Sequence, residues 1–252
     1  MKRVLVSGSE GQLGKCLQKI FGNFESLDIK FMDARSLDIT NTKNINSVFQ
    51  SENYDYCINC AAYTNVEQAE KIPERAFALN ADGVKNIATA CKNSNVVLIH
   101  ISTDYVFDGE SEEGYLTTDL PNPINQYGMS KLAGENYIKE ILEKYFIIRT
   151  SWLYSEFGHN FYKTILKKAQ TERVLYITDE QTGCPTDANN LGRYILNLIS
   201  MKSEDYGIHH FTDGTPMTWY DFAKQIIKDH QLESKCKIEK AENYRTFAKR
   251  PK

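Results

Sequence analysis

Long hydrophobic runs are absent from this sequence of 252 residues, and no apolar stretch approaches the ~20 residues that a membrane-spanning helix needs. An excess of one charge is absent too, since 30 basic and 33 acidic residues leave a formal net charge of −3. Without a basic excess, the chain has no electrostatic basis for general binding to nucleic-acid phosphates. We therefore expect neither a membrane nor a nucleic acid as a partner.

Cysteines are few and scattered, and a chain of this length does not need disulfides to fold. Cys57 and Cys60 form a C-x-x-C pattern that could be a redox pair or half of a zinc site. They lie in an apolar, strand-like run with no second pair at zinc-finger spacing, which favours two buried strand residues. The five histidines also lack metal-ligand spacing. We expect no metal site, and we expect a cytoplasmic protein.

Short apolar segments alternate with helical patterns through the first 151 residues. Continuous apolar strands that are each followed by a helix are typical of a parallel sheet covered on both faces. We predict an α/β fold with a doubly wound, Rossmann-type sheet over residues 1–151. A smaller C-terminal substrate-binding lobe is predicted over 152–252, interleaved with the end of the sheet. Predicted strands include 3–7, 28–33, 54–60, 95–101 and 146–151, and predicted helices include 42–52, 73–93, 128–144 and 188–200.

Three glycines, Gly8, Gly11 and Gly14, follow the first predicted strand and open a helix. This context is typical of a dinucleotide-binding loop, where glycines allow a tight turn, close approach of a pyrophosphate and helix–strand packing. Asp33 ends the second strand about 20 residues downstream, at the spacing of a carboxylate that binds the ribose 2′-hydroxyl. Arg35 could instead bind a 2′-phosphate, so the preference between NADH and NADPH stays open.

Tyr127 and Lys131 form a Y-x-x-x-K pattern at the start of a predicted helix, so that both side chains point the same way. A lysine ammonium close to a tyrosine favours the phenolate, and we expect it to lower the tyrosine pKa towards neutrality. Ser102, Thr103 and Asp104 follow the fourth strand directly. Ligands of an open α/β sheet bind at this end of the strands, where a hydroxyl can contact a substrate carbonyl.

These motifs together resemble the extended short-chain dehydrogenase/reductases, and within them the dTDP-4-dehydrorhamnose reductase branch. The resemblance rests on the glycine loop and on seven further segments that span essentially the whole chain: NCAAYTNVEQAE (59–70), STDYVFDG (102–109), NQYGMSKLAGE (125–135), RTSWLY (149–154), DEQTGCPT (179–186), GIHHFTDG (207–214) and WYDFAKQI (219–226).

The resemblance implies three catalytic residues, Thr103, Tyr127 and Lys131. It also implies that the sugar of the substrate contacts Thr103, Asp104, Tyr105, Tyr127 and Trp152. Gln181, Thr186 and the turn at 212–215 are further expected contacts of the C-terminal lobe. The implied contacts of the nicotinamide cofactor are Gly8, Gly11, Gln12, Leu13, Gly14, Asp33, Arg35, Asp38, Ile39, Asn59, Ala61, Ala62, Tyr127 and Lys131.

The implied activity is reduction by NADH or NADPH of the C4 keto group of a nucleotide-linked sugar, dTDP-4-dehydro-β-L-rhamnose, to dTDP-L-rhamnose. A reductase acting on a different nucleotide sugar would use the same catalytic residues. A regulatory subunit is a third possibility, because the β-subunit of methionine adenosyltransferase resembles this branch too. The intact Thr103, Tyr127 and Lys131 favour an enzyme.

Two positions and the C-terminal end of the sequence depart from the family pattern. Glu67 stands where relatives usually have aspartate. Cys16 stands where some relatives have a glutamate that binds Mg²⁺ at a dimer interface, and Mg²⁺ requires hard oxygen ligands. The sequence therefore does not favour a magnesium-linked assembly, although the resemblance allows a homodimer. The family pattern continues for about one more helix beyond Lys252, and a chain without that helix is expected to bind cofactor normally but sugar nucleotide weakly.

Overall fold

A parallel β-sheet forms the centre of the computed structural model, which describes residues 1–242 and 245–251. The strands of these residues are β1 (Lys2–Ser7), β2 (Leu27–Met32), β3 (Tyr56–Asn59), β4 (Val97–Thr103), β5 (Tyr145–Thr150), β6 (Leu153–Tyr154), β7 (Val174–Ile177), β8 (Thr182–Gly183), β9 (Thr186–Asp187), β10 (Gly207–His210), β11 (Met217–Thr218) and β12 (Lys237–Lys240). The main sheet has the order β10-β5-β4-β3-β1-β2, and each neighbouring pair is parallel.

Helices cover both faces of this sheet. In the described residues they are α1 (Gln12–Ile20), α2 (Thr42–Ser51), α3 (Val66–Lys71), α4 (Pro73–Phe77), α5 (Gly83–Asn93), α6 (Gln126–Ile141), α7 (Phe161–Lys168), α8 (Ala188–Ser200) and α9 (Trp219–Asp229). Apolar side chains of α2, α5 and α6 pack on one face of the sheet, and those of α1 and α8 pack on the other. The predicted doubly wound α/β fold is confirmed.

Continuous apolar sequence explains why the central strands are buried on both faces. Val4, Leu5 and Val6 are all 0% exposed, and successive side chains enter opposite layers. Leu5 packs beneath α2 and α5, whereas Val4 and Val6 pack beneath α1 and α8. The alternation of strand side chains thus gives one strand two cores, which requires apolar residues at every position.

The helix predicted over 73–93 contains a feature that the sequence pattern did not indicate. Residues Ala78–Asp82 form a π-helical turn between α4 and α5. This turn directs the buried Asn80 side chain towards Tyr63, whose backbone oxygen accepts a hydrogen bond of 2.9 Å, and towards the Ser130 hydroxyl on α6. The π turn therefore joins the loop after β3 to α6. The short helix α3 and the strand β12 were also not predicted.

The chain after Trp152 contributes to two parts of the molecule. Strand β10 extends the main sheet beside β5, and α8 packs against α1. In contrast, α7, α9, β7 and β12 surround a separate apolar cluster that includes Ile165, Leu175 and Phe222. Thr218 caps α9 by accepting a hydrogen bond from the Asp221 backbone N–H. The predicted division into domains at residue 151 stays a prediction.

Among residues 1–242 and 245–251, no helix is both long enough and apolar enough to cross a lipid bilayer.

Close packing of α6 against the π turn gives a test of the fold. A Cβ atom at Gly134 would lie 2.2 Å from the backbone oxygen of Asn80, so that Gly134→Ala must push the two helices apart. We expect the substitution to lower the free energy of unfolding by about 2 kcal/mol, even though alanine favours a helix. Urea denaturation measures this change. Gly22→Ala is the matched control, since nothing lies within 4 Å of its added Cβ. Equal stability of the two variants would contradict the packing.

Candidate active site

Polar residues gather at the carboxyl ends of the central strands. Ser7, Asn59 and His100 lie side by side on β1, β3 and β4, and they occupy matching positions in the sheet register. Strand β1 is flanked by β2 on one side and β3 on the other, so connections leave it in opposite directions. Such a switch point opens a crevice above the carboxyl ends of the strands, where open α/β sheets bind ligands.

The glycine loop lies at this switch point. Gly8 has a φ of +68°, in the region that favours glycine, and a Cβ there would lie 2.6 Å from the backbone nitrogen of Ala61. Gly11 caps α1 without a side-chain hydrogen bond. A Cβ on Gly14 would lie 2.5 Å from the oxygen of Ser9. The positive end of α1 is thus bare of side-chain caps, which suits an anionic phosphate.

Two of the predicted cofactor contacts have side chains in the core. Leu13 is 5% exposed and Ile39 is 2% exposed, and each packs in an apolar cluster. The side chain of Gln12 is also engaged, because its Nε2 donates to the oxygen of Leu153 and its Oε1 accepts from Asn160. Only the backbone atoms of Leu13 and Ile39 are therefore placed to serve a ligand, and Gln12 ties the glycine loop to the second half of the chain.

Asp33 and Asp38 both organise turns after β2. Asp33 Oδ1 accepts hydrogen bonds from the backbone N–H groups of Ser36 and Arg35 at 2.8 and 3.2 Å. Hydrogen bonds from Ser36 hold the pKa of the Asp33 carboxyl below its ordinary value, so it is charged at neutral pH. Asp38 Oδ1 accepts from the backbone and hydroxyl of Thr40. Arg35 is exposed in the same turn. Asp33, which would favour NADH, and Arg35, which would favour NADPH, therefore lie close together.

The loop after β3 contacts the glycine loop through Ala61. Asn59 Oδ1 accepts hydrogen bonds from the Ser7 hydroxyl at 2.7 Å and from the Ala61 backbone N–H at 3.2 Å. Ala61 and Ala62 are half-buried. Their small side chains leave the backbone of this loop accessible beside Gly8, where the resemblance predicts cofactor contacts.

Thr103 and Asp104 lie where β4 ends and a single 3-10 turn begins. The Thr103 hydroxyl donates to Asp104 Oδ1 at 2.9 Å and also forms a hydrogen bond with Tyr127. Burial raises the pKa of the Asp104 carboxyl to about 6. Tyr127 lies in the first turn of α6, and its ring meets the edge of the Tyr105 ring at 5.8 Å between centroids. The structure therefore brings Thr103, Asp104, Tyr105 and Tyr127 together.

The pKa of Tyr127 does not follow the expectation drawn from the sequence. Burial raises the pKa of its phenol well above the ordinary value, and the hydrogen bond with the Thr103 hydroxyl opposes this only in part. The charge of Lys131 does not reverse the effect, since its Nζ is directed at the backbone oxygen of Ile101, 2.6 Å away. Tyr127 is consequently a protonated acid at neutral pH rather than a phenolate.

Lys131 is itself almost fully buried, at 2% exposure. Its Nζ lies 3.3 Å from Nε2 of His100 in addition to its hydrogen bond with Ile101. Burial lowers the pKa of the lysine to about 8, and the negative charge of Glu135 moderates that decrease. A lysine whose pKa lies near neutrality can change its charge during a reaction, which an ordinary surface lysine cannot do.

A cavity of about 660 Å³ opens next to Asp104, within the size range of small-molecule sites. Arg149 and His210 form part of its wall, together with the loop at 109–115. Arg149 is buried and pairs with Glu135 through two hydrogen bonds of 2.7 and 3.0 Å. Arg149 thus gives the cavity a cationic group whose position Glu135 fixes.

Residues of the second half close the opposite wall of this cavity. Thr182, Gly183 and Thr212 line it, whereas Trp152 lies behind Gly183. The Trp152 ring stacks on Trp219 with centroids 3.4 Å apart, and Trp219 Nε1 donates to Gln181. These contacts place Trp152 as a support of the wall. Its predicted contact with the sugar stays a prediction.

Two expected contacts of the C-terminal lobe are used internally. Thr186 is 0% exposed, and its hydroxyl donates to the oxygen of Cys184. Asp213, in the 212–215 turn, accepts hydrogen bonds from Asp187 and Asn190. Thr186 is therefore not available to a ligand in this structure, and within the turn it is Thr212 that lines the cavity.

Sequence reasoning missed a contact between the end of the chain and the site. Arg250 donates to Glu67 at 2.7 Å and to the hydroxyl of Tyr105 at 3.1 Å. Glu67 also accepts from the backbone of Phe247 and Ala248. The segment 245–251 therefore fixes the position of Tyr105 through the hydrogen bond from Arg250 to its hydroxyl. No local motif predicts a contact that spans more than 140 residues.

Comparisons with known proteins show which family the chain belongs to. The family described as RmlD substrate binding domain matches residues 1–252. A dTDP-4-dehydrorhamnose reductase of Aggregatibacter actinomycetemcomitans is 36% identical over 261 residues, covering 100% of this chain and 89% of the relative. A dTDP-4-keto-6-deoxy-D-glucose reductase of Streptomyces niveus is 32% identical, covering 90% of this chain and 78% of the relative.

A solved structure shares the fold closely. It is the crystal structure of dTDP-4-dehydrorhamnose reductase from Bacillus anthracis in complex with NADP, with a TM-score of 0.92 and 40% identity. The match covers 96% of this chain and 86% of that chain. The resemblance drawn from the motifs is confirmed, and the chain belongs to the RmlD substrate binding domain family.

Proposed function

We propose that this protein is an oxidoreductase that uses NADH or NADPH to reduce the C4 keto group of dTDP-4-dehydro-β-L-rhamnose, giving dTDP-L-rhamnose. The observation that carries the proposal is the contact between Thr103 and Tyr127, one helical turn from buried Lys131 and next to Asp104, which lines a cavity of about 660 Å³. The reductase of Aggregatibacter, similar over the whole chain, supports the choice of substrate.

The glycine loop fits a nicotinamide dinucleotide. A side chain at Gly8 would collide with Ala61, and Gly11 adds no side-chain cap to α1. A pyrophosphate can therefore approach the backbone N–H groups of the first helical turn. When bound, the cofactor supplies a hydride. We expect Asp33 and Arg35, in the turn after β2, to contact the adenosine ribose, and the Bacillus anthracis structure contains NADP.

Tyr127 supplies the proton of the reaction. A carbonyl oxygen gains negative charge as its carbon accepts hydride, so an acid must meet that oxygen in the transition state. The raised pKa of Tyr127 keeps the phenol protonated until then. The Thr103 hydroxyl, which in this structure donates to Asp104, can turn to the same substrate oxygen. The positive charge of Lys131 stabilises the phenolate that remains.

A second candidate substrate is another dTDP-linked 4-keto-6-deoxy sugar. The Streptomyces niveus relative, a dTDP-4-keto-6-deoxy-D-glucose reductase, supports it. The three catalytic side chains would act in the same way on either sugar, because both reactions reduce a C4 ketone. The sugar would be selected by the walls of the cavity, which include Thr182, Gly183 and Thr212.

The proposal places the reaction in the cytoplasm, consistent with six free cysteines. A homodimer stays a prediction of the resemblance. Cys16, at the position where some relatives place a magnesium ligand, is buried beneath α8, and burial raises the pKa of its thiol to about 11. Residues 1–242 and 245–251 contain no group of three or more potential metal ligands.

Replacement of Tyr127 tests the assignment of the acid. Tyr127→Phe keeps the ring contact with Tyr105 but removes the proton donor, so we expect kcat to fall at least a hundredfold. The dissociation constant for NADPH should change little. Steady-state kinetics and calorimetric titration measure the two effects. Tyr137→Phe, on the same helix, is the matched control and should retain activity. Turnover by Tyr127→Phe near that of the wild type would exclude the assigned role.

The buried lysine predicts a pH dependence. Its pKa of about 8 means that Lys131 loses its charge as the pH rises through 8. We expect kcat/KM for ketone reduction to fall tenfold per pH unit above that value, because Tyr127 keeps its proton over the same range. Lys131→Arg retains a positive charge to high pH and should lose this alkaline decline. A profile that stays flat to pH 10 in the wild type would contradict the role of Lys131.

Product analysis tests the reaction itself. The purified chain is incubated with NADPH and each of several 4-keto sugar nucleotides, linked to dTDP or UDP. We expect consumption of dTDP-4-dehydro-β-L-rhamnose with formation of dTDP-L-rhamnose, identified by NMR. Preferential reduction of a different sugar would support the second candidate. The absence of ketone-dependent oxidation of NADPH and NADH would overturn the assignment as an enzyme.

A further inference from the structure

A continuous row of buried polar side chains connects the glycine loop to Lys131. Ser7 donates to Asn59, Asn59 Nδ2 lies 3.1 Å from His100 Nδ1, and His100 Nε2 lies 3.3 Å from Lys131 Nζ. The four side chains are at most 2% exposed. Buried polar atoms need partners of the correct kind, donor opposite acceptor, so the direction of each hydrogen bond can be worked out.

The backbone N–H of Ala61 sets that direction. It can only donate, and it lies 3.2 Å from Asn59 Oδ1, which must therefore be the carbonyl oxygen of the amide. The amide nitrogen then faces His100 and donates to Nδ1. Burial and the charge of Lys131 hold the pKa of His100 well below its ordinary value, so the ring is neutral. A neutral imidazole that accepts at Nδ1 carries its hydrogen on Nε2.

We propose that His100 is a positioning residue for Lys131: Asn59 fixes its ring with hydrogen on Nε2, and that N–H stabilises the lysine as a neutral amine that donates to the oxygen of Ile101. The inference rests on the proposed function for its catalytic meaning. An ammonium at Nζ would meet the imidazole N–H donor to donor, whereas an amine accepts from it. His100 therefore makes Lys131 a readier proton donor than burial alone would.

This arrangement gives the lysine a use within the reaction. After Tyr127 has given its proton to the substrate oxygen, the phenolate needs a replacement. One proton leaves the Lys131 ammonium, one arrives at the phenolate, and solvent later restores the lysine. The resulting amine is the form that His100 stabilises. Two other groups act on the charge of Lys131 in the opposite sense: Glu135, one turn along α6, and Cys60, after β3.

Nitrogen NMR of the protein labelled with ¹⁵N-histidine tests the fixed ring directly, without substrate. The His100 signal is the one that remains after the four other histidines have been assigned by their own His→Gln variants. At pH 7 we expect a neutral ring with hydrogen on Nε2. A ring with hydrogen on Nδ1, or an imidazolium, would overturn the proposal. This measurement uses the wild type, so it decides the matter even where a variant fails to fold.

Titration of Lys131 by its ¹³Cε shift tests the effect on the lysine. A glutamine at position 100 can turn its carbonyl oxygen towards Nζ, so His100→Gln should raise the lysine pKa by about one unit. The alkaline limb of kcat/KM should move by the same amount. In Asn59→Asp, the new carboxylate would accept a hydrogen bond from His100 Nδ1–H, so that Nε2 would carry no hydrogen and would face Lys131 as an acceptor. This variant should therefore also raise the lysine pKa.

His209→Gln is the matched control. The His209 ring is also held at both nitrogens, by Tyr194 and the oxygen of Asp205, but it does not contact Lys131. It should leave the titration unchanged. An unchanged Lys131 titration in His100→Gln would overturn the proposal. Failure to reduce any keto sugar would instead overturn the proposed function, while both NMR results would still stand on their own.

Discussion

Burial of polar groups at the carboxyl ends of β1, β3 and β4 is the constraint on which the rest of the site depends. Ser7, Asn59 and His100 interrupt an otherwise apolar sheet at one level, and none has access to water. Without a hydrogen-bond partner, each of these buried polar groups would destabilise the fold by about 1–3 kcal/mol. Pairing them across the strands fixes the loop that faces Gly8 at one end of the row and the amine of Lys131 at the other. The row therefore holds the glycine loop and helix α6 in a fixed position relative to each other.

A buried ion pair between Glu135 and Arg149 fixes α6 one turn beyond Lys131, on the same face of the helix. Glu135 is 0% exposed, and it accepts hydrogen bonds from Arg149 on β5 and from Ser102 on β4. Removing one partner of such a pair would leave a buried charge, which is far more costly than an exposed one. With Gly134 also packed against the π turn, the helix has little freedom to shift. Rigid placement of the acid and the lysine is what electrostatic stabilisation of a transition state requires.

The sequence predicted those parts of the molecule that local patterns determine. The strands, the glycine loop and the Y-x-x-x-K pair depend on residues within one turn or one strand, and their positions agree with the structure to within a few residues. Contacts between distant segments could not be predicted in this way. The hydrogen bond from Arg250 to Tyr105 depends on how distant parts of the chain meet, and so does the pairing of Thr186 with Leu153 between β9 and β6. The polar row left a signal, namely a polar residue near the end of each of three apolar strands, but only the sheet register gives it meaning.

The pKa of Tyr127 shows why the spacing of two residues does not determine their chemistry. Y-x-x-x-K places a lysine one turn from a tyrosine, and on an exposed helix the lysine charge would lower the tyrosine pKa. Here burial disfavours charge on both groups, raising the pKa of the phenol and lowering that of the amine. For reduction of a ketone this is the useful direction, because the phenol must hold its proton until the carbonyl oxygen becomes basic enough to take it. The same apolar surroundings then strengthen the attraction between the new phenolate and any cation nearby, which offsets part of the cost that burial adds to the proton transfer.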